Sequence, residues 1–381
     1  MTANVTIVSG IRVRHDAISN IICHQRRVLA EAGHNVRVLI HHHDGEAFEW
    51  EAAVPSSWEL LRHPGYLEAD LVIFHFGIYY ELFNALALPH PRGARRVVHF
   101  HNVTPPDLLD GATRRSAQDG LIQLAVAERA DGIWSDSLHN TEVLCDFTEI
   151  DRSAVIDMPP MVPAIGGRAS DGASNDGPVR LIAVGRFIAA KGLDDLVDAL
   201  AELPPTIRES VRLTLAGSIA NSDAAYLGRL VEAIDRLGLT SIVDIVSDPN
   251  DEELVELFRR SDIFVSASHH EGFCVPAVEA LAAGCRAIVT DAGALPDTVG
   301  PGGVIVPVHD VHALSAAIAA EAESVVRVRA GDPAAIAERV ARDDLVAAHL
   351  VRFTPATTRD RILAATAAAL DGPAAHRAEA Q

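Results

Sequence analysis

Four charged side chains in the second half of the sequence have types and spacings suited to binding a polar ligand. Arg186 and Lys191 lie five residues apart in RFIAAKG, and Lys191 is the only lysine among 32 basic residues. A guanidinium can hold a phosphate through two parallel hydrogen bonds, and an ammonium adds a compact charge. Glu271 and Glu279 lie eight residues apart in EGFCVPAVE, and carboxylates accept hydrogen bonds from hydroxyl groups. Together they predict a site for a ligand that carries both phosphates and hydroxyls.

The residues between the two glutamates predict a loop that runs into a helix. Pro276 suits the first position of a helix, so we expect a helix over 276–283 with Glu279 in its first turn. The amide N–H groups at such a helix start can bind an anion. The alternative is that Glu271 is a solvated loop residue and that Glu279 complements the helix dipole.

Short β-branched segments alternate with helical stretches on both sides of a Gly/Ser/Asp/Pro-rich segment, which predicts two doubly wound parallel-sheet domains. The strand segments before the break are NVTIVSG, NVRVLIHH, DLVIFHF, RRVVHFH, GIWSDS and AVIDM; those after it are VRLIAVG, VRLTLAG, VDIVSD, DIFVSAS, RAIVTD and GVIVPV. We therefore expect an N-terminal domain over 1–165, a linker over 166–178, a second domain over 179–345, and a C-terminal helix and tail over 346–381 that pack on the first domain.

Ligands of such sheets bind at the carboxyl ends of the strands, where several polar residues of the first half lie. His101 follows the strand RRVVHF, and we prefer it as a ligand contact over His99, which lies deeper in the strand. Asp16 and Asn20 either contact a ligand or cap the helix that follows. The run HHHD at 41–44 could suggest a metal site, but a polar strand end is the simpler interpretation.

The composition excludes several classes of protein. The net charge is −20, with 13 basic and 21 acidic residues over 1–165 and 19 and 31 over the rest, so we expect no nucleic-acid partner. The four cysteines form no CxxC pair, and the sequence has no signal-peptide pattern or long apolar run, which predicts a reduced, cytoplasmic protein. A nicotinamide dehydrogenase would carry GxGxxG after its first strand, where this chain has VSGIRVRHDA.

Three motifs carry a resemblance to a known family. EGFCVPAVE is similar to the Glu-x7-Glu signature of the retaining GT-B glycosyltransferases of family 4, VGRFIAAKG resembles that family's Gly-Arg…Lys-Gly phosphate element, and HFHNVTPP resembles its histidine loop. The resemblance covers nearly the whole chain. It departs from the family in the turn after the first strand, which lacks a Gly-Gly pair.

The resemblance implies two Rossmann-like domains that face an interdomain cleft, and it implies roles for seven residues. Arg186 and Lys191 would bind the donor diphosphate, and the amides of Gly272 and Phe273 would lie over the sugar phosphate. The remaining implied roles are sugar hydroxyl contacts for Glu271, ribose contacts for Glu279, and contact with the reacting sugar for His101.

The implied reaction is transfer of a hexosyl group, with mannosyl from GDP-mannose preferred, from a nucleoside-diphosphate sugar with retention of anomeric configuration. No metal or other cofactor is expected, and the acceptor would be a glycan, a lipid-linked molecule or a small molecule. Alternatives are a non-catalytic nucleotide-sugar-binding protein and a nucleotide-sugar epimerase. The arginine pairs at 26–27, 95–96 and 114–115 are interpreted as solvated helix faces, with a membrane-facing patch at the inner face of the membrane as the alternative.

Overall fold

The chain folds into two units, each built on one parallel sheet. Unit 1 comprises Met1–Met161 and Pro355–Gln381, and unit 2 comprises Val162–Thr354. The structure is a computed structural model that describes residues 2–12, 16–43, 48–109, 111–163, 165, 177–219 and 222–372.

Unit 1 contains a seven-stranded sheet with helices between its strands. Its strands are β1 (Asn4–Arg12), β2 (Asn35–His43), β3 (Glu51–Ala53), β4 (Leu71–Phe76), β5 (Arg95–Phe100), β6 (Gly132–Ser135) and β7 (Val155–Asp157). Its helices are α1 (Ala17–Glu31), α2 (Ser57–Leu60), α3 (Pro64–Leu67), α4 (Gly111–Gln123) and α5 (Leu138–Phe147), together with the last helix of the chain. The strand order is β3-β2-β1-β4-β5-β6-β7, and all pairs are parallel.

Unit 2 contains a six-stranded parallel sheet. Its strands are β8 (Val179–Val184), β9 (Val211–Gly217), β10 (Val243–Ser247), β11 (Ile263–Ser266), β12 (Arg286–Thr290) and β13 (Gly303–Val306). Its helices are α6 (Leu193–Glu202), α7 (Pro205–Ser210), α8 (Ala224–Arg236), α9 (Asp251–Arg260), α10 (Val275–Ala282), α11 (Leu295–Val299), α12 (Val311–Arg329) and α13 (Pro333–Leu350); α14 (Pro355–Asp371) belongs to unit 1. The strand order is β10-β9-β8-β11-β12-β13.

The central strands are buried along their whole length because helices cover both faces of a parallel sheet. Every residue of β4 is buried, as is every residue of β12. One face of the unit 2 sheet packs against α6, α8 and α12, and the other packs against α9 and α10. These two buried layers fix the ends of β8 and β11 in place.

The strand order changes direction between β1 and β4 in unit 1 and between β8 and β11 in unit 2. Loops that leave neighbouring strands at such a point run to opposite faces of the sheet and leave a crevice at the carboxyl ends. In unit 2 the loops after β8 and β11 are the ones that carry the predicted phosphate-binding and glutamate motifs.

The sequence-based strand assignments and two-domain fold are confirmed, with one addition: the short strand β3 was not predicted, because its sequence EAA contains no β-branched residue. The proposed domain end at 345 lies inside α13 (Pro333–Leu350), so that boundary is wrong. Val162 packs with Phe273 and Phe353, which places the start of unit 2 at Val162. Most of the proposed linker, 166–176, lies outside the described residues.

Candidate functional site

The turn after β8 presents Arg186 on the surface. Phe187, the next residue, is fully buried and anchors the turn against the core of unit 2. Arg186 is exposed, and its guanidinium makes no hydrogen bond or ion pair with any residue that the structure describes. A free guanidinium at the carboxyl end of a strand is available to bind an anion.

Lys191 and Glu271 are 80 residues apart in sequence and form an ion pair, with Nζ 2.5 Å from Oε1. Their side chains are 21% and 11% exposed, so the pair is largely withdrawn from water. The hydroxyl of Ser268 donates to the same carboxylate oxygen at 2.8 Å. The structure therefore brings two sequence-predicted site residues together, and it places the charge of Lys191 beside a carboxylate.

Gly192 allows the lysine turn to lie against the loop after β11. Its φ is 58°, and a Cβ built on it would lie 2.0 Å from the carbonyl oxygen of Ala267. The amide of His269 donates to the carbonyl of Ala190 at 2.9 Å. These contacts tie the two loops together, so that a side chain at 192 would separate them.

The loop that carries Glu271 and Phe273 is fixed by the helix α11. The amide of Ala294 donates to the carbonyl of Glu271 at 2.9 Å, and the Thr298 hydroxyl donates to the carbonyl of Phe273 at 2.6 Å. The amides of Phe273 and Cys274 have no acceptor among the described residues. They remain available for a ligand at the start of α10.

Glu279 lies beyond the first turn of α10, contrary to the sequence-based expectation. The helix begins at Val275, one residue earlier than expected, so the helix dipole does not account for Glu279. Burial, with the carboxylate of Asp251 nearby, raises the pKa of Glu279 to about 7. Its carboxylate makes no hydrogen bond or ion pair with any described residue. A partly buried carboxylate that no described residue contacts is a group that a ligand hydroxyl can satisfy.

A second polar cluster lies next to Gly192. Oδ2 of Asp195, in the first turn of α6, lies 2.9 Å from Nε2 of His269 and 3.2 Å from Nδ1 of His309. Ligand atoms of these three side chains lie within 4.8 Å of one another, so the cluster could hold a metal ion. The same is true of three histidines in unit 1, His75, His99 and His101.

In unit 1, His101 follows β5 and its side chain is 2% exposed. Its Nδ1 lies 2.8 Å from Oδ2 of Asp136, and its Nε2 lies 2.8 Å from Nδ1 of His75. Asn102 follows in the left-handed region, with a φ of 76°. Asp136 was not identified from the sequence, although it follows β6 and the strand-end rule could have found it.

The other polar residues singled out in unit 1 lie at the start of α1 and on β2. Asp16 caps α1, since its carboxylate accepts hydrogen bonds from the amide and the hydroxyl of Ser19. Asn20 is exposed on the same helix. Nδ1 of His41 lies 3.3 Å from the carbonyl oxygen of Val54. Asp44, also named in the metal interpretation, lies outside the described residues, and so does the His43 side chain.

The interpretation of the arginine pairs as solvated helix faces is wrong for Arg95 and Arg96, which begin the strand β5. Arg95 Nε donates to the carbonyl of Ala369 at 3.0 Å, and Arg96 Nη1 donates to the carbonyl of Leu88 at 2.6 Å. Both guanidiniums also lie near Asp131. Among the described residues, no helix is both long enough and apolar enough to cross a bilayer.

Part of unit 2 matches a known family. Residues 169–324 match the family model described as Glycosyl transferases group 1. This segment contains Arg186, Lys191, Glu271 and Glu279, together with the turn and loop described above.

Curated relatives include two D-inositol 3-phosphate glycosyltransferases. The protein from Mycolicibacterium smegmatis is 29% identical over 255 residues, which cover 64% of this chain and 54% of that protein. The protein from Mycobacterium leprae is 30% identical over 267 residues, which cover 69% of this chain and 56% of that protein. The chain therefore spans about half the length of these relatives.

Solved structures match nearly the whole chain in fold. A glycosyltransferase from Rickettsia africae has a TM-score of 0.72 at 16% identity, covering 97% of this chain and 100% of that one. Anabaena Alr3699/HepE in complex with UDP and glucose has a TM-score of 0.74 at 16% identity, covering 96% and 99%. The two parallel-sheet units thus have the fold of GT-B glycosyltransferases, and residues 169–324 match the group 1 glycosyltransferase family.

Proposed function

We propose that this protein is a glycosyltransferase that takes a hexosyl group from a nucleoside-diphosphate sugar and transfers it to an acceptor hydroxyl with retention of configuration. The observation that carries the proposal is the contact between Lys191 and Glu271 at the point where the strand order of unit 2 reverses. In the proposed scheme Lys191 binds phosphate and Glu271 accepts hydrogen bonds from hydroxyl groups, and the structure shows these two side chains in contact. The match of the surrounding segment to group 1 glycosyltransferases supports it.

The residues of unit 2 suit the charge changes of such a reaction. Cleavage of the bond between the sugar and the diphosphate leaves negative charge on the departing phosphate, and fixed positive groups stabilise it. Arg186 supplies a guanidinium that no described residue pairs with, and Lys191 exchanges its contact with Glu271 for the phosphate. Glu271 then accepts hydrogen bonds from sugar hydroxyls, and Glu279 accepts them from the ribose.

The backbone completes the proposed donor site. Amides of the Gly272–Phe273 segment contact the phosphate oxygens at the start of α10. The reaction needs no metal ion in this scheme, since Arg186 and Lys191 neutralise the diphosphate.

The relatives favour certain chemical classes of donor and acceptor for this protein. Relatives named as D-inositol 3-phosphate glycosyltransferases favour a small hydroxylated acceptor, and glycan or lipid-linked acceptors are the other candidates. Because Anabaena HepE was solved in complex with UDP and glucose, UDP-glucose is a second donor to test beside GDP-mannose. An acceptor carried by lipid would bring the protein to the inner face of a membrane.

The experiment is a donor screen followed by a transfer assay. Thermal shifts with UDP- and GDP-sugars identify the donor, and product analysis by NMR identifies the anomeric configuration. We expect Arg186→Ala to abolish most transfer, while Arg180→Ala, an exposed arginine at the other end of β8, keeps it. Donor hydrolysis without transfer, interconversion of the donor sugar, or an inverted product would each contradict the proposal.

A further inference from the structure

Three side chains of unit 2 that the proposed reaction does not use converge on one point. Asp195 is in the first turn of α6, His269 is in the loop after β11, and His309 is in the turn between β13 and α12. Nε2 of His269 lies 2.9 Å from Oδ2 of Asp195, and Nδ1 of His309 lies 3.2 Å from that same oxygen. The two imidazole rings lie against each other, with their centroids 4.0 Å apart. Two ring nitrogens and one carboxylate oxygen thus face each other.

The spacing of these three atoms suits a tetrahedral metal ion. The bonds from zinc to nitrogen and oxygen ligands are about 2.0–2.2 Å long, so two ligand atoms of one ion lie about 3.3 Å apart. The two contacts of Asp195, at 2.9 and 3.2 Å, are close to that separation. All three ligand atoms lie within 4.8 Å of one another. Small rotations of the side chains therefore bring them to bonding distance from a single ion.

The backbone holds each of the three residues in place. Asp195 is part of a helix, and the amide of His269 donates to the carbonyl of Ala190 at 2.9 Å. The residue that follows His309 is Asp310, whose carboxylate caps α12. The ligands thus come from segments that the fold already positions, which a metal site of defined geometry requires.

The cluster is open to solvent on one side. The side chain of His309 is 62% exposed, whereas those of Asp195 and His269 are 21% and 12% exposed. An ion can enter from the side of His309, and water can take the fourth position there. The first turn of α6 also carries Asp194, so the local charge favours a cation.

The backbone of His309 is in the left-handed region, with a φ of 62°. A residue with a side chain adopts this conformation at a cost in free energy. An exposed contact between a histidine and a carboxylate contributes little to stability, so the contact with Asp195 does not by itself offset that cost. A bond to a metal ion does, because the free energy of metal binding adds to that of folding.

We propose that Asp195, His269 and His309 bind a divalent transition-metal ion such as Zn²⁺, with water as the fourth ligand. Two imidazoles favour such ions over Mg²⁺ and Ca²⁺, which prefer sites made of oxygen atoms. Three protein ligands with water in the fourth position is a coordination that zinc adopts in proteins.

The ion links the two segments that carry the phosphate-binding and glutamate motifs. Asp195 is four residues after Lys191, and His269 is two residues before Glu271. Nε2 of His269 lies 2.9 Å from the position that a Cβ on Gly192 would take, so the site lies directly against the lysine turn. The ion is a structural link that takes no part in the proposed transfer, and the inference does not rest on the proposed function.

The test is calorimetric titration of the full-length protein with Zn²⁺, after treatment with a chelator and without a polyhistidine tag. We expect one ion to bind per chain, and an excess of Mg²⁺ should not compete with it. The absence of saturable Zn²⁺ binding would overturn the proposal. Displacement of Zn²⁺ by Mg²⁺ would overturn the assignment to a transition metal.

Two variants remove one ligand each. His309→Asn is suited to the test because asparagine tolerates the left-handed backbone, and Asp195→Asn keeps the size of the side chain. Each should weaken Zn²⁺ binding at least about 100-fold, since loss of an outer-shell partner alone costs about 10–100-fold.

His312→Asn is the matched control, because His312 is on the neighbouring helix α12, is 88% exposed and contacts Glu202 instead. It should bind Zn²⁺ as the wild type does. Unchanged affinity in His309→Asn would place the ion elsewhere, for example at the three histidines of unit 1, and would overturn the proposal. Equal losses in His309→Asn and His312→Asn would also overturn it.

Two further measurements use the same proteins and need neither donor nor acceptor. Zn²⁺ at 100 times its dissociation constant shifts the folding equilibrium about 100-fold, so it should raise the Tm of wild type and His312→Asn but not that of the two ligand variants. In the wild type, Zn²⁺ should slow hydrogen exchange in the peptides that contain Asp195, His269 and His309. If the variants do not fold, this exchange still decides, because slowing confined to other peptides would overturn the proposal.

Discussion

Lys191 is the residue on which the proposed chemistry depends most. Its side chain runs past Gly185, where a Cβ would lie 3.4 Å from Cε, and its ammonium ends against Glu271. A compact ammonium can move from a carboxylate to a phosphate by a small rotation of the side chain, whereas a planar guanidinium would need a new fork geometry.

Lys191→Ala should slow transfer by about 100-fold, since a charge-assisted hydrogen bond contributes about 1.5–3 kcal/mol and about 1.4 kcal/mol changes a rate tenfold. The variant also leaves Glu271 without its cation beside the donor phosphates. Steady-state kinetics with saturating donor measure the effect on kcat. Arg180→Ala is the control, and equal rates for Lys191→Ala and wild type would remove Lys191 from the mechanism.

Glu279 should make donor binding depend on pH. Because its pKa is raised to about 7, the carboxylate is mostly protonated at pH 6 and mostly ionised at pH 8. The ionised form accepts two hydroxyl hydrogen bonds, so donor affinity should rise by up to about tenfold over this range. Calorimetric titration of the protein with the donor at several pH values measures this change in affinity.

The raised pKa of Glu279 has the opposite effect on the stability of the folded protein. The unfolded chain releases the proton of Glu279 near pH 4.5 and the folded chain releases it near 7, so this contribution to the free energy of unfolding falls as pH rises through that window. Glu279→Gln should remove both pH effects, and Glu256→Gln on the exposed face of α9 should keep them. A pH-independent donor affinity in the wild type would contradict the ribose-binding role.

Among the local elements, the junction between the lysine turn and the β11 loop sets the geometry of the site. Gly192→Ala should disrupt it, since the new Cβ would clash with the Ala267 carbonyl as well as strain the backbone. We expect a loss of about 1–3 kcal/mol in stability from the strain alone and a larger loss of transfer. Denaturant unfolding and kinetics measure the two effects.

Gly238→Ala is the matched control for that variant. Gly238 also has a positive φ, 69°, but nothing lies within 4 Å of the Cβ position. It should cost about 1 kcal/mol and leave transfer unchanged. Similar kinetics for the two variants would show that the contact between the loops is unimportant.

The sequence predicted elements with a strong local pattern and missed those that depend on neighbours. Alternating strand and helix segments gave both sheets, while β3 has no such pattern. Arg186, Lys191 and Glu271 could be proposed from motif and strand-end position. The pairing of Lys191 with Glu271 could not, because it requires β8 and β11 to be adjacent in the sheet.

The buried polar cluster of unit 1, in which Gln25 contacts His75 and His99, shows the same limit. Asp136 has a sequence signal, because it follows a strand, but Gln25 has none. In the sequence, Gln25 is indistinguishable from a residue on the polar face of α1, whereas the structure buries it to 1% exposure. A polar side chain that is satisfied only by distant residues cannot be told from a solvated one by local pattern.

At the scale of the whole molecule, the last helix of the chain belongs to the first unit. The helix α14 follows the last element of unit 2 and packs against α1 and β5 in unit 1. Ile362 and Ala365 are 3% and 5% exposed and belong to the same core as β1 and α1. The stability of unit 1 therefore depends on residues at the opposite end of the sequence from its first strand.

Ile362→Ala should lower the free energy of unfolding of unit 1 by about 2–5 kcal/mol, because it leaves a cavity in a packed core. Ile122→Ala in the same unit, where Ile122 is 77% exposed, is the control and should cost less than about 0.5 kcal/mol. Scanning calorimetry measures both. An equal effect of the two substitutions would show that α14 does not stabilise unit 1.

The ion pair between Lys191 and Glu271 makes recognition of phosphate conditional on recognition of sugar. A simple anion that approaches Lys191 must displace a carboxylate already in contact and leave that carboxylate without its cation, with the Ser268 hydroxyl still donating to it. A nucleotide sugar replaces both halves of the pair at once, with a phosphate for the ammonium and a hydroxyl for the carboxylate. The pair thus disfavours inorganic phosphate and other small anions in the unliganded protein, and the sugar itself completes the binding of its own leaving group.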